Sequence, residues 1–258
     1  MTATHPYLSR PLPRAFAHRG WHLDDLEGME NSLAAFRRAA AEGFAYLETD
    51  VHATSDGVVV VHHDETLDRT TDGHGPVAGQ PWSVVSRAKV GGREPVARLE
   101  DLLEELPDAL VNVDVKADSA VGPVLEVLRR TGSTGRVCLA SFSDRRLARL
   151  RAAAGPGLLT SMGPRNAGAL WASGRVPPLR LPVHGAVAQV PVRQGRLVVV
   201  DGRFVRAAHR RGVEVHVWTV DAPAEMAALL DLGVDGLVTD RPDLLREVLR
   251  GRGQWSGE

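Results

Sequence analysis

Acidic and basic side chains recur at the ends of several short β-branched runs in this chain of 258 residues. Glu48 and Asp50 alternate along one run, and Asp114 and Lys116 alternate along another. Alternation places each pair on one face of its strand. Burying three carboxylates together without a cation would cost several kcal/mol per charge. Carboxylate oxygens are hard ligands, so Glu48, Asp50 and Asp114 predict a site for Mg²⁺ or Ca²⁺ rather than zinc.

Histidines and further cations accompany these carboxylates. The segment AHRG supplies His18 and Arg19, and the run VVVVHHD supplies His62 and His63. An unperturbed imidazole titrates at about 6.5, so two histidines beside a metal suit general acid–base catalysis. Arg19 and Lys116 add positive charge for an anion. A metal, two imidazoles and two cations together indicate phosphoryl transfer.

Each residue also has a structural explanation. Asn31 or Ser32 would cap the helix after MENS, and a lone strand histidine is more often hydrogen-bonded than reactive. We interpret RTT and TDRPD structurally, with Arg69 and the two threonines after it tying down a loop and Asp240 capping the last helix. The carboxylates differ from these residues, because they share a strand face that should point into the fold. That placement favours a functional site over a structural role.

The elements that position these residues alternate between short β-branched runs and longer Ala/Leu/Arg runs of helical period. Repeated strand–helix units predict a parallel sheet covered by helices, and eight units favour a closed (β/α)8 TIM barrel over an open sheet. No GxGxxG follows the first strand, which argues against a dinucleotide site. The predicted strands are Ala15–Ala17, Tyr46–Ala53, Val58–His62, Leu110–Val115, Val137–Phe142, Leu158–Met162, Ala186–Val190, Val213–Val220 and Gly236–Thr239.

The Gly- and Pro-rich stretch from about residue 64 to 98 is predicted to be a short insertion after the second strand. It would form a small lid and is too short to hold its own core. Residues 1–258 are therefore expected to form a single domain. Active sites of such barrels lie at the C-terminal ends of the strands, which is where the polar residues above fall.

Composition excludes several functions. The 31 Lys+Arg residues against 32 Asp+Glu, a net charge of −1, argue against nucleic-acid binding, which needs a basic face. The single cysteine, Cys138, excludes a disulfide framework and a cysteine zinc site. No run approaches the roughly 18 apolar residues of a membrane span. The N-terminal segment MTATHPYLSRPLPR lacks the apolar stretch of a secretory signal. We expect a cytoplasmic protein without stable membrane insertion.

Lysine is scarce, since only Lys89 and Lys116 occur among the basic residues. Base composition explains the scarcity as a whole. Lys116, however, stands two residues after Asp114, where a compact ammonium fits beside a metal better than a planar guanidinium. Lys89 has no such neighbour and is expected to be solvated.

The run AHRG…MENSLAAF…LETDVHATSDGVVVVHHDETLDRTTDG resembles the glycerophosphodiester phosphodiesterase family. The resemblance continues through LVNVDVKA, ASFSDRRLARL, VHVWTVD and LGVDGLVTDRPDLL, in the family's order, from about Arg14 to Leu249. The run from Glu48 to Gly73 is its most specific part.

The resemblance implies the roles of individual residues. His18 and His63 match the catalytic acid–base pair; only His63, which precedes Asp64, fits the motif, and alternation sends His62 to the outer face. His52 shares the strand parity of the carboxylates without a family role. The remaining implied positions are the metal ligands Glu48, Asp50 and Asp114, the phosphate-binding Arg19 and Lys116, the active-site acid Glu30, which binds the metal or orients a group, and Trp218 beside the substrate pocket.

Two positions depart from the family's pattern. Asp114 stands where the family most often has Glu, one methylene longer, which puts the metal preference in doubt but not the reaction type. Asp221 replaces the Asn of WTVN, and we expect this charge near the pocket mouth to alter the preferred head group.

The expected function is metal-dependent hydrolysis of a small-molecule glycerophosphodiester to an alcohol and glycerol 3-phosphate by His/His acid–base catalysis. One alternative is a lysophospholipase D acting on single-chain glycerophospholipids, which needs an apolar groove at the barrel mouth. A Schiff-base aldolase using Lys116 has no need for three carboxylates. A non-catalytic barrel that binds glycerophosphodiesters is the alternative from another class.

Overall fold

The computed structural model describes residues 5–176 and 181–257, so the first four residues of the N-terminal segment lie outside the described part. Eight parallel strands pair in chain order, and the eighth returns to pair with the first. A single bridge between Ser161 and Val187 joins the fifth strand to the sixth. The predicted (β/α)8 barrel is confirmed. Its strands are β1 (Arg14–His18), β2 (Tyr46–Ala53), β3 (Leu110–Val115), β4 (Val137–Ala140), β5 (Leu159–Thr160), β6 (Val187–Pro191), β7 (Glu214–Trp218) and β8 (Gly236–Thr239).

A helix follows each barrel strand in the described residues, and apolar faces of helices and strands form the outer core. Ser32 caps the first helix, since its side chain accepts a hydrogen bond from the Ala35 N–H. None of the described helices combines the length and apolarity needed to cross a bilayer. The helices are α1 (Leu33–Ala41), α2 (Leu99–Glu105), α3 (Val121–Arg130), α4 (Asp144–Ala154), α5 (Pro164–Ser173), α6 (Gly202–His209), α7 (Pro223–Leu232) and α8 (Pro242–Gly251).

One predicted strand does not belong to the barrel. The run predicted as Val58–His62 forms a shorter strand, Val59–Val61, which pairs antiparallel with the end of β2. A tight turn causes this reversal: the Thr54 N–H donates to the Val58 carbonyl, and Gly57 has a φ of 84°. The chain therefore turns back before it enters the insertion.

The insertion is better packed than expected. It contains a short helix, Trp82–Val85, and a small antiparallel pair formed by Lys89–Val90 and Glu94–Pro95. The insertion was predicted to be too short for a core of its own, and its apolar residues do pack in a small cluster that residues from outside the insertion complete. That cluster consists of Met29, Val60, Leu67, Val77, Val85, Ala88, Val90 and Val96.

The barrel interior changes from apolar to charged along the strands. Phe16 and Tyr46 belong to an apolar cluster inside the barrel, and Tyr7 packs edge-on against Tyr46 with ring centroids 5.3 Å apart. Two residues further along their strands, the same face carries His18 and Glu48. Polar side chains thus gather at the C-terminal ends, where parallel strands open together.

Candidate active site

Three predicted residues meet at the ends of β2 and β3. Asp50 pairs in register with Asp114 on the neighbouring strand, and Lys116 follows directly after β3. The Lys116 Nζ lies 2.7 Å from Asp50 Oδ1 and 2.7 Å from Asp114 Oδ2. Both aspartates are buried. A single ammonium is therefore held between carboxylates of two adjacent strands.

The buried charges shift one another's ionisation. Burial, reinforced by the negative charge of Asp50, raises the pKa of Glu48 to about 8. Burial would also raise the pKa of Asp50, but the cations of Lys116 and Arg19 lower it below its ordinary value. Burial raises the pKa of Asp114 despite Lys116. The two cations therefore stabilise the Asp50 anion most strongly.

Two carboxylate oxygens of this cluster remain without a hydrogen bond. Glu48 Oε2 and Asp114 Oδ1 are buried, and no donor among the described residues reaches them. Within residues 5–176 and 181–257, no three His, Cys, Asp or Glu side chains are already arranged as a metal site. Buried oxygens that accept nothing are costly, and hard oxygen donors are those that Mg²⁺ and Ca²⁺ prefer. The donor set fits such a cation, and the metal remains a prediction.

Arg19 connects this cluster to Glu30. Its Nε lies 3.1 Å from Asp50 Oδ2, and its terminal N–H donates to Glu30 Oε1 at 2.9 Å. Arg19 has a φ of 56°, in the left-handed region that is unfavourable for a side chain of this type. Arg69 of the insertion donates two further hydrogen bonds to Glu30, at 2.8 and 3.0 Å. Two of the predicted residues are thus joined to the insertion.

Asn31 has a role that the sequence did not reveal. Its side-chain N–H donates to Asp50 Oδ2 at 3.1 Å, and its carbonyl oxygen accepts from the Thr49 hydroxyl at 2.9 Å. Of the two candidate capping residues, Ser32 is the cap. Asn31 instead has a φ of 60°, a conformation that Asn tolerates, and this turns its amide towards Asp50. An Asn directly before a capping Ser was the only available signal.

His18, the last residue of β1, lies between two carboxylates. Its Nδ1 is 2.6 Å from Asp240 Oδ1, and its Nε2 is 3.6 Å from Glu48 Oε2. Burial would lower the pKa of His18, but Glu48 and Asp240 raise it. The prediction that Asp240 caps the last helix was wrong: Arg241 occupies the cap position of α8 and makes no side-chain cap bond. Asp240 follows β8, which pairs with β1, and so reaches His18.

His63 has a similar partner close by in the chain. Its Nδ1 lies 2.6 Å from Asp64 Oδ1. Arg69 donates to both oxygens of Asp64, at 2.6 and 3.0 Å. The Arg69 hydrogen bonds, more than that of His63, lower the pKa of Asp64. Arg69 does tie down the insertion as predicted, and it does so through residues of the site.

The other two histidines of this region have buried hydrogen-bonding positions. His52 Nε2 lies 3.1 Å from the carbonyl oxygen of His63 and so supports its backbone. His62 Nε2 lies 2.8 Å from the carbonyl oxygen of Thr66 in the insertion. Burial lowers the pKa of both imidazoles, which disfavours their charged form.

An aromatic pair flanks the site at the mouth of the barrel. Trp218, the last residue of β7, meets Phe142 edge-on with ring centroids 5.4 Å apart. The Lys116 Nζ lies 5.7 Å from the centre of the Phe142 ring. Phe142 is 62% exposed, so its ring faces solvent at the mouth of the barrel. Phe142 was not among the predicted residues.

Asp221 forms hydrogen bonds with the end of β8. Its Oδ1 accepts the Thr239 hydroxyl at 2.9 Å and the backbone N–H of Asp240 at 2.8 Å. The carboxylate thus stabilises the end of β8 through these two hydrogen bonds. Its effect on the preferred head group stays a prediction.

Known proteins match this chain over most of its length. The model of the glycerophosphoryl diester phosphodiesterase family matches residues 18–244. The chain is 42% identical over 250 residues to the probable glycerophosphodiester phosphodiesterase 2 of Mycobacterium tuberculosis, covering 94% of this chain and 93% of that protein. It is 30% identical over 252 residues to the glycerophosphodiester phosphodiesterase of Caldanaerobacter subterraneus, covering 92% and 98%.

The fold also has solved counterparts. A crystal structure from Silicibacter pomeroyi, described as a glycerophosphoryl diester phosphodiesterase, superimposes with a TM-score of 0.79 at 24% identity, covering 98% of each chain. At that identity the likeness concerns the fold, and it agrees with the barrel described above.

Proposed function

Because the chain belongs to the glycerophosphoryl diester phosphodiesterase family, we propose that this glycerophosphodiester phosphodiesterase releases an alcohol and glycerol 3-phosphate with His18 and His63 as its general acid and base. One observation carries the assignment. Each imidazole has its Nδ1 2.6 Å from a carboxylate oxygen, that of Asp240 for His18 and that of Asp64 for His63. A carboxylate accepts and does not donate, so each ring keeps its Nε2 for a substrate proton.

The proton transfers follow from this arrangement. One histidine takes the proton of the nucleophile, water or a hydroxyl of the glycerol moiety, as its oxygen attacks phosphorus. The bond from phosphorus to the alcohol oxygen breaks, and its electron pair stays on that oxygen. The other histidine donates a proton to this leaving group. If a substrate hydroxyl attacks, water opens the resulting cyclic diester with the two roles exchanged.

The surrounding charges suit a phosphodiester. Lys116 and Arg19 are the two cations in contact with the carboxylate cluster, at 2.7 and 3.1 Å from Asp50. They offset charge on the non-bridging oxygens, which grows as the transition state forms. Members of this family generally use a divalent cation. Glu48, Asp50 and Asp114 would hold it, and it would supply further positive charge to the phosphate oxygens.

Replacing each histidine tests the proposal. His18→Ala and His63→Ala should each lower kcat/KM for glycerophosphocholine by about 10²-fold or more. His74→Ala is the matched control, since His74 lies in the insertion with a side chain that is 84% exposed. Near-wild-type turnover in either site variant would overturn the assignment.

The aromatic pair at the mouth supports a second candidate, lysophospholipase D activity. A single-chain lipid would need an apolar surface next to the phosphate, and the Phe142 ring lies 5.7 Å from the Lys116 Nζ. Comparing turnover of glycerophosphocholine with that of a lysophosphatidylcholine separates the two. A Phe142→Ala variant that loses only the lipid activity would support the second candidate.

A further inference from the structure

We infer that Asp240 is a positioning residue that holds His18 in one tautomer and one ring orientation, and that Asp221 in turn holds Asp240. The inference rests on the proposed role of His18. It concerns a carboxylate that is 222 residues away from the histidine in the chain and adjacent to it in the barrel.

The first link is the hydrogen bond between His18 and Asp240. The pairing of β8 with β1 places Thr239 opposite Ala17, so the residue after each of these comes to the same rim of the barrel. There the Nδ1 of His18 lies 2.6 Å from Asp240 Oδ1. Because an ionised carboxylate only accepts, the proton of this bond belongs to Nδ1. The free lone pair of a neutral ring then lies on Nε2, which faces the site.

The second link fixes Asp240. Its backbone N–H donates to Asp221 Oδ1 at 2.8 Å, and the same oxygen accepts the Thr239 hydroxyl at 2.9 Å. The Thr239 hydroxyl is fully buried and also accepts the Arg241 N–H at 2.9 Å. Asp221 follows β7, so the contacts connect three neighbouring strands to the orientation of one imidazole.

A second histidine shares the same carboxylate oxygen. His22 Nε2 lies 3.3 Å from Asp240 Oδ1, a longer contact than that of His18. Since both rings approach one oxygen, that oxygen is held from two sides. The position of the Asp240 carboxylate therefore does not depend on His18 alone.

The hydrogen bonds of Asp221 predict which substitutions the site tolerates. Both of its contacts use one oxygen as an acceptor, and an amide oxygen can accept both bonds. Asp221→Asn should therefore preserve the arrangement, and Asp221→Ala should not. A charge-based role at the pocket mouth would instead make Asp221→Asn as damaging as Asp221→Ala, because both remove the charge.

The test combines nitrogen NMR of the imidazole with kinetics. In ¹⁵N-labelled protein without substrate, at a pH high enough to keep the ring neutral, the His18 ring, identified by its loss in His18→Ala, should show one protonated Nδ1 and one free Nε2. In Asp240→Ala this signature should become that of a tautomer mixture. With glycerophosphocholine, kcat should fall by about tenfold to a hundredfold and KM should change little, since Asp240 positions His18 and need not touch the substrate.

Companion variants keep the test decisive. Asp221→Asn should match wild type in both readouts, and Asp221→Ala should shift both towards Asp240→Ala. Asp243→Asn is the control, since it removes a carboxylate paired with Arg241 in the same segment. If Asp240→Ala misfolds, Asp240→Asn replaces it, with a smaller fall in kcat expected.

An unchanged ¹⁵N signature together with unchanged kcat in Asp240→Ala would overturn the inference. Full activity of His18→Ala would instead overturn the proposed function. The two failures are distinguishable, because the tautomer of His18 is measured without turnover.

Discussion

The ammonium nitrogen of Lys116 lies 2.7 Å from Asp114 Oδ2, although the two residues are separated by a single valine. The same nitrogen is equally close to Asp50 on the neighbouring strand. Lys116 is partly buried, and the two aspartates, against its burial, raise its pKa, so it stays charged. A compact cation is thus fixed at the point where the phosphate of a substrate is expected.

Exchange of this lysine for arginine should therefore be damaging. Lys116→Arg keeps the charge, but a planar guanidinium is larger than an ammonium and would crowd the space that Lys116 fills between the two buried aspartates. We expect kcat/KM to fall by about 10²-fold, the size of effect seen when one electrostatic contact of a transition state is lost. Lys89→Arg, at the exposed second lysine, is the matched control and should behave like wild type. Equal activity of both variants would contradict the role of Lys116.

Removal of divalent cations should abolish hydrolysis. The reason is the pair of buried oxygens, Glu48 Oε2 and Asp114 Oδ1, that accept no hydrogen bond from the described residues. Dialysis against EDTA should remove glycerophosphodiester turnover, and Mg²⁺ or Ca²⁺ should restore it. The effective ion should also raise the Tm of the wild type and not that of Glu48→Gln. Full turnover after exhaustive chelation would exclude the metal site.

Arg69 should matter for catalysis although its side chain is half exposed. Its guanidinium donates to Asp64, which holds His63, and to Glu30, which holds Arg19. A lysine cannot make these forked contacts, so Arg69→Lys should lower kcat/KM by up to about 10²-fold through loss of positioning. Arg129→Lys, on an exposed pair of α3, should have no effect. Unchanged kinetics in Arg69→Lys would show that the insertion does not support the site.

Acid stability should depend on an ion pair inside the opposite end of the barrel. Arg14 donates two hydrogen bonds of 2.6 Å to Glu214, and His216 lies 3.1 Å from it. Burial would raise the pKa of Glu214, but Arg14 and His216 lower it to about 2. A lowered pKa means that the stabilisation is fully present above pH about 4.5 and is lost as the pH falls towards 2.

Glu214→Gln should accordingly destabilise the protein most at neutral pH. It leaves the buried Arg14 without a countercharge, which costs about 3–5 kcal/mol when a buried pair is broken. The difference from wild type in the free energy of unfolding, measured in urea, should narrow between pH 7 and pH 3. Glu126→Gln, which breaks an exposed pair, should show a small difference at both values. A difference independent of pH would refute the assignment.

Much of the fold was predictable because local sequence patterns mark most strands and helices of the barrel. β2, β3 and β8 begin and end where the β-branched runs predict, since each run is bounded by turn residues or by a helical segment. The run after Gly57 was wrongly predicted to be a strand of the parallel barrel, because a β-branched run indicates a strand but not its direction. A turn hydrogen bond that reverses the chain determines that Val59–Val61 is antiparallel.

The candidate site was predictable as a set of residues but not as a set of contacts. Alternation along β2 and β3 was enough to bring Asp50 and Asp114 to one face, and their register places them opposite each other. Either Asn31 or Ser32 was predicted to cap the first helix, and Asp240 the last one, because residue type and position suggest that role. Whether such a side chain caps its helix or reaches another strand depends on backbone conformation and on what lies beside it.

The sequence by itself therefore determined the barrel, the family and the residues available for chemistry, because periodicity and motif order are local properties of the chain. Only the tertiary structure decided that Lys116 sits between two aspartates, that Arg69 links the insertion to both Glu30 and Asp64, and that Asp240 meets His18. These contacts arise where β2 pairs with β3, where the insertion meets Glu30 and where β8 closes onto β1. Ring closure brings together residues that are distant in the chain, and no local pattern encodes such a meeting.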